Sequence, residues 1–179
     1  FRTKLLLIMP MSTKSVEKVL RDASFEINLD PEAPNFLNIE GGGIALDNNY
    51  GMCHIAINEE EIVLFVSFSF VKGVTEDMAY RICHFMNAGS NTEFTQEDFE
   101  VVYPFVTFSF QDQDTDNRLK LVGMSVIDSG INPNKFIRTL EAFVDNALDR
   151  VAAADIEFGK KYNGPCIDNE FIKLEDEGI

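Results

Sequence analysis

The sequence predicts an α+β fold: a mainly antiparallel sheet of about five or six strands with three helices packed against it, in the order α-βββ-α-βββ-α. Three observations carry this. Runs such as "IVLFVSFSFV" at Ile62–Val71 alternate with the period of a strand. Three other stretches repeat their apolar residues at helical spacing. The strand-like runs are separated by short acidic or glycine-rich turns rather than helical crossovers, which argues against a parallel sheet. At 179 residues, 45% of them apolar and sixteen of them Phe, the chain can bury one full core. A single domain spanning 1–179 is expected, with residues 12–156 as its core and 1–11 and 157–179 as terminal extensions.

The elements follow in chain order. Ser12–Ala23 reads as the first helix, with Val16, Val19, Leu20 and Ala23 on one stripe and Ser12 or Thr13 as its cap. "LDPEAPN" interrupts the chain with two prolines and acidic turn formers. A short strand at Phe36–Glu40 runs into Gly41-Gly42-Gly43, where a bulge or bend is expected before Ile44–Leu46. After the turn "DNNYG", strands lie near Gly51–Asn58 and Ile62–Val71, joined through Glu59–Glu61. Thr75 opens the second helix, whose acidic first turn suits the helix dipole, and Gly89 stands where its C′ residue belongs. Thr92–Phe110 reads as strand material with a small hairpin at Gln96–Asp98, and an acidic loop leads to a strand at Leu119–Asp128. Asn132-Pro133 caps a long helix with a stripe from Phe136 to Val151, and the pattern weakens after "AAAD".

Alternation assigns faces. Ile62, Leu64, Val66, Phe68 and Phe70 share one side of their strand; Val63, Phe65, Ser67, Ser69 and Val71 share the other. Along Val101–Phe110, the apolar side is Val102, Pro104, Val106, Phe108 and Phe110, opposite Val101, Tyr103, Phe105, Thr107 and Ser109. One face is therefore wholly apolar and belongs under helices. The other interleaves aromatics with hydroxyls, which suits contact with a partner chain, a second subunit or the C-terminal extension. Phe65, Tyr103 and Phe105 are the expected anchors of such a contact.

The bulk chemistry excludes several classes. Thirty acidic against fifteen basic residues give a net charge of −15, a field that repels phosphate backbones and anionic membranes. The apolar runs are too short to cross a bilayer. "FRTKLLLIMPM" is too short for a signal peptide and lacks a small-residue cleavage site. Three cysteines without regular spacing fit a reduced, cytoplasmic setting.

Four motifs invite chemistry, and each has a structural reading. Cys53-His54 and Cys83-His84 look like metal or thiol sites. In a strand, Cys53 keeps register with Ile55 and Ile57 while His54 points away; in a helix, Cys83 joins Met78, Ala79, Ile82 and Met86 while His84 lies beside Tyr80 and Arg81. Neither pair can direct both side chains at one ion, so no metal ligands are assigned. Asp112, Asp114 and Asp116 resemble half a calcium loop, but Asn117 replaces the turn glycine and Gly123 the bidentate acid. Gly41–Gly43 lacks the lysine and following helix of a phosphate loop. No G-x-S-x-G elbow occurs, and no carboxylate pair stands out.

The segments "AYRICHFMNAGSNTEFTQEDFEVVYPFVTFSF" and "INPNKFIRTLEAFVDNALDRV" resemble the bacterial YbjN-like proteins, candidate sensory transduction regulators with a fold similar to type III secretion chaperones. The resemblance runs from Ser15 to about Ala154 and rests on hydrophobic pattern and the Asn turn at Asn87. It implies protein binding, commonly as a dimer, without a cofactor. The expected function is a non-enzymatic interaction module, chaperone-like or regulatory. The alternative is a small-molecule-binding sensory domain, marked by a pocket between sheet and long helix, and an enzyme ranks third.

Overall fold

The computed structural model describes residues 9–41, 52–89, 106–112, 117–162 and 164–167. In chain order they form α1 (Thr13–Asp22), β1 (Glu26–Leu29), β2 (Phe36–Gly41), β3 (Met52–Ile57), β4 (Glu61–Ser69), α2 (Glu76–Gly89), β5 (Thr107–Asp112), β6 (Leu119–Asp128) and α3 (Pro133–Tyr162). The six strands make one sheet in the order β1-β2-β3-β4-β6-β5, with every neighbouring pair antiparallel. The α+β class and the antiparallel sheet are as the sequence predicts.

One departure stands out: among the described residues, four strands rather than three precede α2, because Glu26–Leu29 pairs with β2 as an edge strand. Ser24, at φ 68°, turns the chain out of α1, and Arg21 Nη2 donates to the Ile27 carbonyl from the helix above. The expected strand piece near Thr92 and the hairpin at Gln96–Asp98 lie outside the described residues. So do the segment Ile44–Leu46, Gly42, Gly43, Asp114 and Asp116.

Local chemistry sets the helix starts. Ser12 closes a reciprocal capping box with Ser15 at α1. Thr75 Oγ1 accepts the Met78 amide at α2, and Asn132 Oδ1 accepts the Asn134 amide at α3. Buried stripes of all three helices then join the inward residues of the sheet in one core. Inward positions are Leu37 on β2; Cys53, Ile55 and Ile57 on β3; Ile62, Leu64, Val66 and Phe68 on β4; Phe108 on β5; and Leu119, Leu121 and Ile127 on β6. Gly123 sits among them because a Cβ there would lie 2.9 Å from Val66 Cγ1 and 3.0 Å from Phe108 Cε1.

α3 runs to Tyr162, well past the weakening of its stripe. Phe158 packs edge-on against Phe85 of α2, with ring centroids 5.5 Å apart, which gives this last part a neighbour that its own periodicity does not reveal. The chain then turns back at Gly164, whose amide bonds to the Gly159 carbonyl. Asp155 Oδ1 accepts from the Cys166 amide, the Ile167 amide and the Cys166 thiol, at 2.9, 3.2 and 3.1 Å. Cys166 and Ile167 are fully buried; Ile167 bridges to Phe70, and the Cys166 carbonyl accepts the Val71 amide. Burial raises the pKa of Asp155, and these donors partly offset it.

Candidate functional site

With the helices gathered over the inward residues, the other side of the sheet carries the outward ones. Ladder register arranges them in rows across the strands. One row is Phe36, Ala56, Val63 and Val126; the next is Asn38, His54, Phe65, Met124 and Thr107; the third is Ser67, Val122 and Ser109. The first two rows combine apolar and aromatic groups with a few uncharged polar ones. Met124 and Val126 are 38% and 49% exposed, Phe65 and Val63 are half-buried, and Ser67 alone of the outward β4 residues is buried. The centre of this face thus leaves apolar side chains open to solvent.

The aromatic residues here are held by one another. Phe36 stacks on His54 with centroids 5.4 Å apart, and Phe65 tilts against Phe36 at 6.4 Å. His54 Nδ1 donates to Asn38 Oδ1 on the neighbouring strand. Burial lowers the pKa of His54, and the charge of Lys120 lowers it further, so the ring is held neutral on this face. Along the strands, Lys120 lies beyond Val122, Asp128 and its ladder partner Glu61 lie beyond Val126, and Glu40 at the end of β2 accepts from Asn28 Nδ2. At one corner, Pro34, Phe36, Ala56, Ile57 and Val63 border an open cleft of about 360 Å³.

The mixed face expected along β4 is therefore real, and Phe65 lies in it. Tyr103 and Phe105 lie outside the described residues. Alternation along Leu119–Asp128 carries the same signal as β4, with Val122, Met124 and Val126 apolar on the outward side. What it lacks is any sign that β6 inserts beside β4, since that pairing joins segments almost sixty residues apart.

Both Cys-His pairs split as their periodicity predicts. Cys53 and Cys83 point into the core as free thiols, and burial pushes them up to about 12 and about 11. Such thiols are poor nucleophiles. His54 faces outward, and His84 is exposed against Tyr80, ring centroids 6.5 Å apart. Among the described residues, no three His, Cys, Asp or Glu side chains converge on a point that could hold a metal ion. None of the described helices is long and apolar enough to cross a membrane.

No family model matches the chain, and no curated protein matches its sequence. Solved structures do match its fold. YbjN from E. coli, a candidate transcription regulator, superposes with a TM-score of 0.61 at 13% identity over 82% of this chain and 93% of its own. An uncharacterized protein from Methanothermobacter thermautotrophicus superposes with a TM-score of 0.52 at 11% identity, over 83% and 99% of the two chains. The fold is YbjN-like.

Proposed function

We propose that the chain is a non-enzymatic protein-binding module, a regulatory or chaperone-like adaptor, and that the outward face of its sheet is the contact surface. The observation that carries this reading is the exposed apolar pair Met124 and Val126 beside half-buried Phe65 and Val63 on a face that the helices leave uncovered. Covering such a patch releases water from apolar surface, the dominant favourable term in most protein association. Phe65 is the aromatic anchor, and Tyr103 and Phe105 are proposed to extend it on the alternation of their own segment. The likeness in fold to a candidate transcription regulator fits a regulatory role. A net charge of −15, and Lys120 as the basic residue among the described ladder positions of this face, give phosphate backbones little to bind, which favours a protein partner over nucleic acid.

The test is affinity purification from the native host with wild-type bait and with M124D and F65A baits. Loss of specific partners or of self-association in the variants is expected. Unchanged partners and unchanged self-association in folded variants would overturn the assignment. The cleft at Phe36 and Val63 supports a second reading, a small-molecule sensor; a ligand retained by wild type and lost from V63D in native mass spectrometry would favour it.

A further inference from the structure

The two ends of the outward face differ in charge. The row of Phe36, Ala56, Val63 and Val126 borders the cleft of about 360 Å³. Just beyond it, the turns and strand ends carry Asp30, Glu32, Glu59, Glu60, Glu61 and Asp128, all exposed. Lys14 and Lys135, in the first turns of α1 and α3, belong to the helix side of the sheet. At the other end of the face stand Lys120, beyond Val122, and Glu40, two residues past Asn38 on β2. An apolar cleft rimmed by carboxylates suits a segment that is apolar and cationic together.

Such a segment joins the fold beside this cleft. Residues 1–8, "FRTKLLLI", carry Arg2 and Lys4, no carboxylate, and an unbroken aliphatic run from Leu5 to Ile8. Their point of entry is fixed twice over. The Met11 amide donates to the Ser129 carbonyl at 2.7 Å, and Ser129 donates its own amide to the Glu60 carbonyl and its hydroxyl to the Glu59 carbonyl. Two residues on, Thr13 Oγ1 donates to Oδ1 of Asn35, which lines the cleft. Met11 is buried and Met9 is 83% exposed, so the chain leaves the fold between the acidic turn and the cleft wall.

We infer that residues 1–8 fold back across this end of the outward face, with Leu5–Ile8 on the apolar row and its cleft and with Arg2 and Lys4 among the carboxylates. The inference rests on the reading of the face as a contact surface and adds its regulation: the segment covers part of that surface in the free chain and competes with the partner for it. Reach allows this. Eight extended residues span up to about 26 Å, while β2, β3, β4 and β6 lie across about 14 Å. Residues 168–179 are the poorer match. They follow Ile167, which bridges to Phe70 at the opposite end of β4, and they carry five carboxylates against Lys173 alone. A second copy brings a net charge of −15 to a rim that is already negative.

The test reads access to the cleft wall in the full chain. V63C supplies a thiol there, while Cys53, Cys83 and Cys166 are buried. Its labelling by a maleimide should quicken about tenfold in L6D/L7D, which puts a carboxylate on either side of an extended segment. It should quicken about threefold in R2E/K4E, which makes attractive pairs repulsive. E60K/E61K should act like R2E/K4E, and all four changes together should restore protection. Glu60 and Glu61 are exposed, so these exchanges leave the fold intact. L6D/L7D should also capture several-fold more partner than wild type. Equal labelling in every background, or a rate that depends on protein concentration, overturns the inference. Quickened labelling with unchanged capture of a partner that M124D loses overturns the competition. If M124D loses its partners while labelling is the same in every background, the contact surface stands and only its cover is wrong. If L6D/L7D quickens labelling and M124D loses no partner, the cover stands and the contact-surface reading is wrong.

Discussion

Asn87 offers a direct measure of how α2 holds the far edge of the sheet. Its side chain acts toward β5 as another strand would: Phe108 N–H donates to Asn87 Oδ1 at 2.7 Å, and Asn87 Nδ2 donates to the Phe108 carbonyl at 3.0 Å. Phe108 is 2% exposed. Replacing Asn87 with Ala leaves one backbone donor and one acceptor unpaired in that position. Each such group costs about 1–3 kcal/mol, so N87A should destabilise the protein by about 2–4 kcal/mol. With a urea m-value of about 2 kcal/mol per molar, the unfolding midpoint should fall by roughly 1–2 M at unchanged slope. N87D separates pairing from mere bulk. Its carboxylate can still accept the Phe108 amide, but it presents an oxygen to the Phe108 carbonyl. It should be at least as destabilising as alanine at pH 7 and recover as pH falls and the carboxyl regains a donor. Hydrogen exchange at Phe108 should quicken in both. A midpoint change in N87A equivalent to under about 0.5 kcal/mol, the range of ordinary surface substitutions, would refute the pairing as a structural tie.

Other predictions test the core, the C-terminal return and the outward face. G123A should cost about 1–3 kcal/mol in urea unfolding, because its Cβ must push Val66, Phe108 and Val106 aside. D155A should cost about 2–4 kcal/mol by orphaning the buried Cys166 and Ile167 amides, and D155N less; a thiol reagent should then reach Cys166 in D155A without denaturant. G159A should open the same return, since its Cβ would stand 2.7 Å from the Gly164 carbonyl oxygen, and the same thiol assay checks it. His54 has a folded pKa below its ordinary value of 6.5, so the unfolded chain takes up its proton first. Its contribution is fully present above pH 6.5 and lost as pH falls through the lowered value; H54N should flatten that acid-side loss in thermal melts at pH 5 to 8.

The local rules of the chain were legible wherever one residue type had one job. Ser12, Thr75 and Asn132 announced the helix starts because a side-chain oxygen at the first free amides is a local matter. Leu119–Asp128 was readable to the residue because its alternation is unbroken. The end of α3 was not, since Phe158 becomes a packing residue only when Phe85 of α2 arrives beside it. β1 has the same origin. Four residues with one inward half-buried Ile27 have no strand signal until β2 supplies the ladder.

By itself, then, the sequence determined which side of each element faces inward: Cys53 and Cys83 toward the core, His54 and Phe65 away from it. Such choices depend on period, and period is written in neighbouring residues. Only the tertiary structure decided which outward residues meet. It set Met124 beside Phe65, Phe108 on Asn87, and Cys166 under Asp155. These contacts join segments from eleven to almost sixty residues apart, and their partners are chosen by the order in which strands and helices pack, which no local pattern encodes.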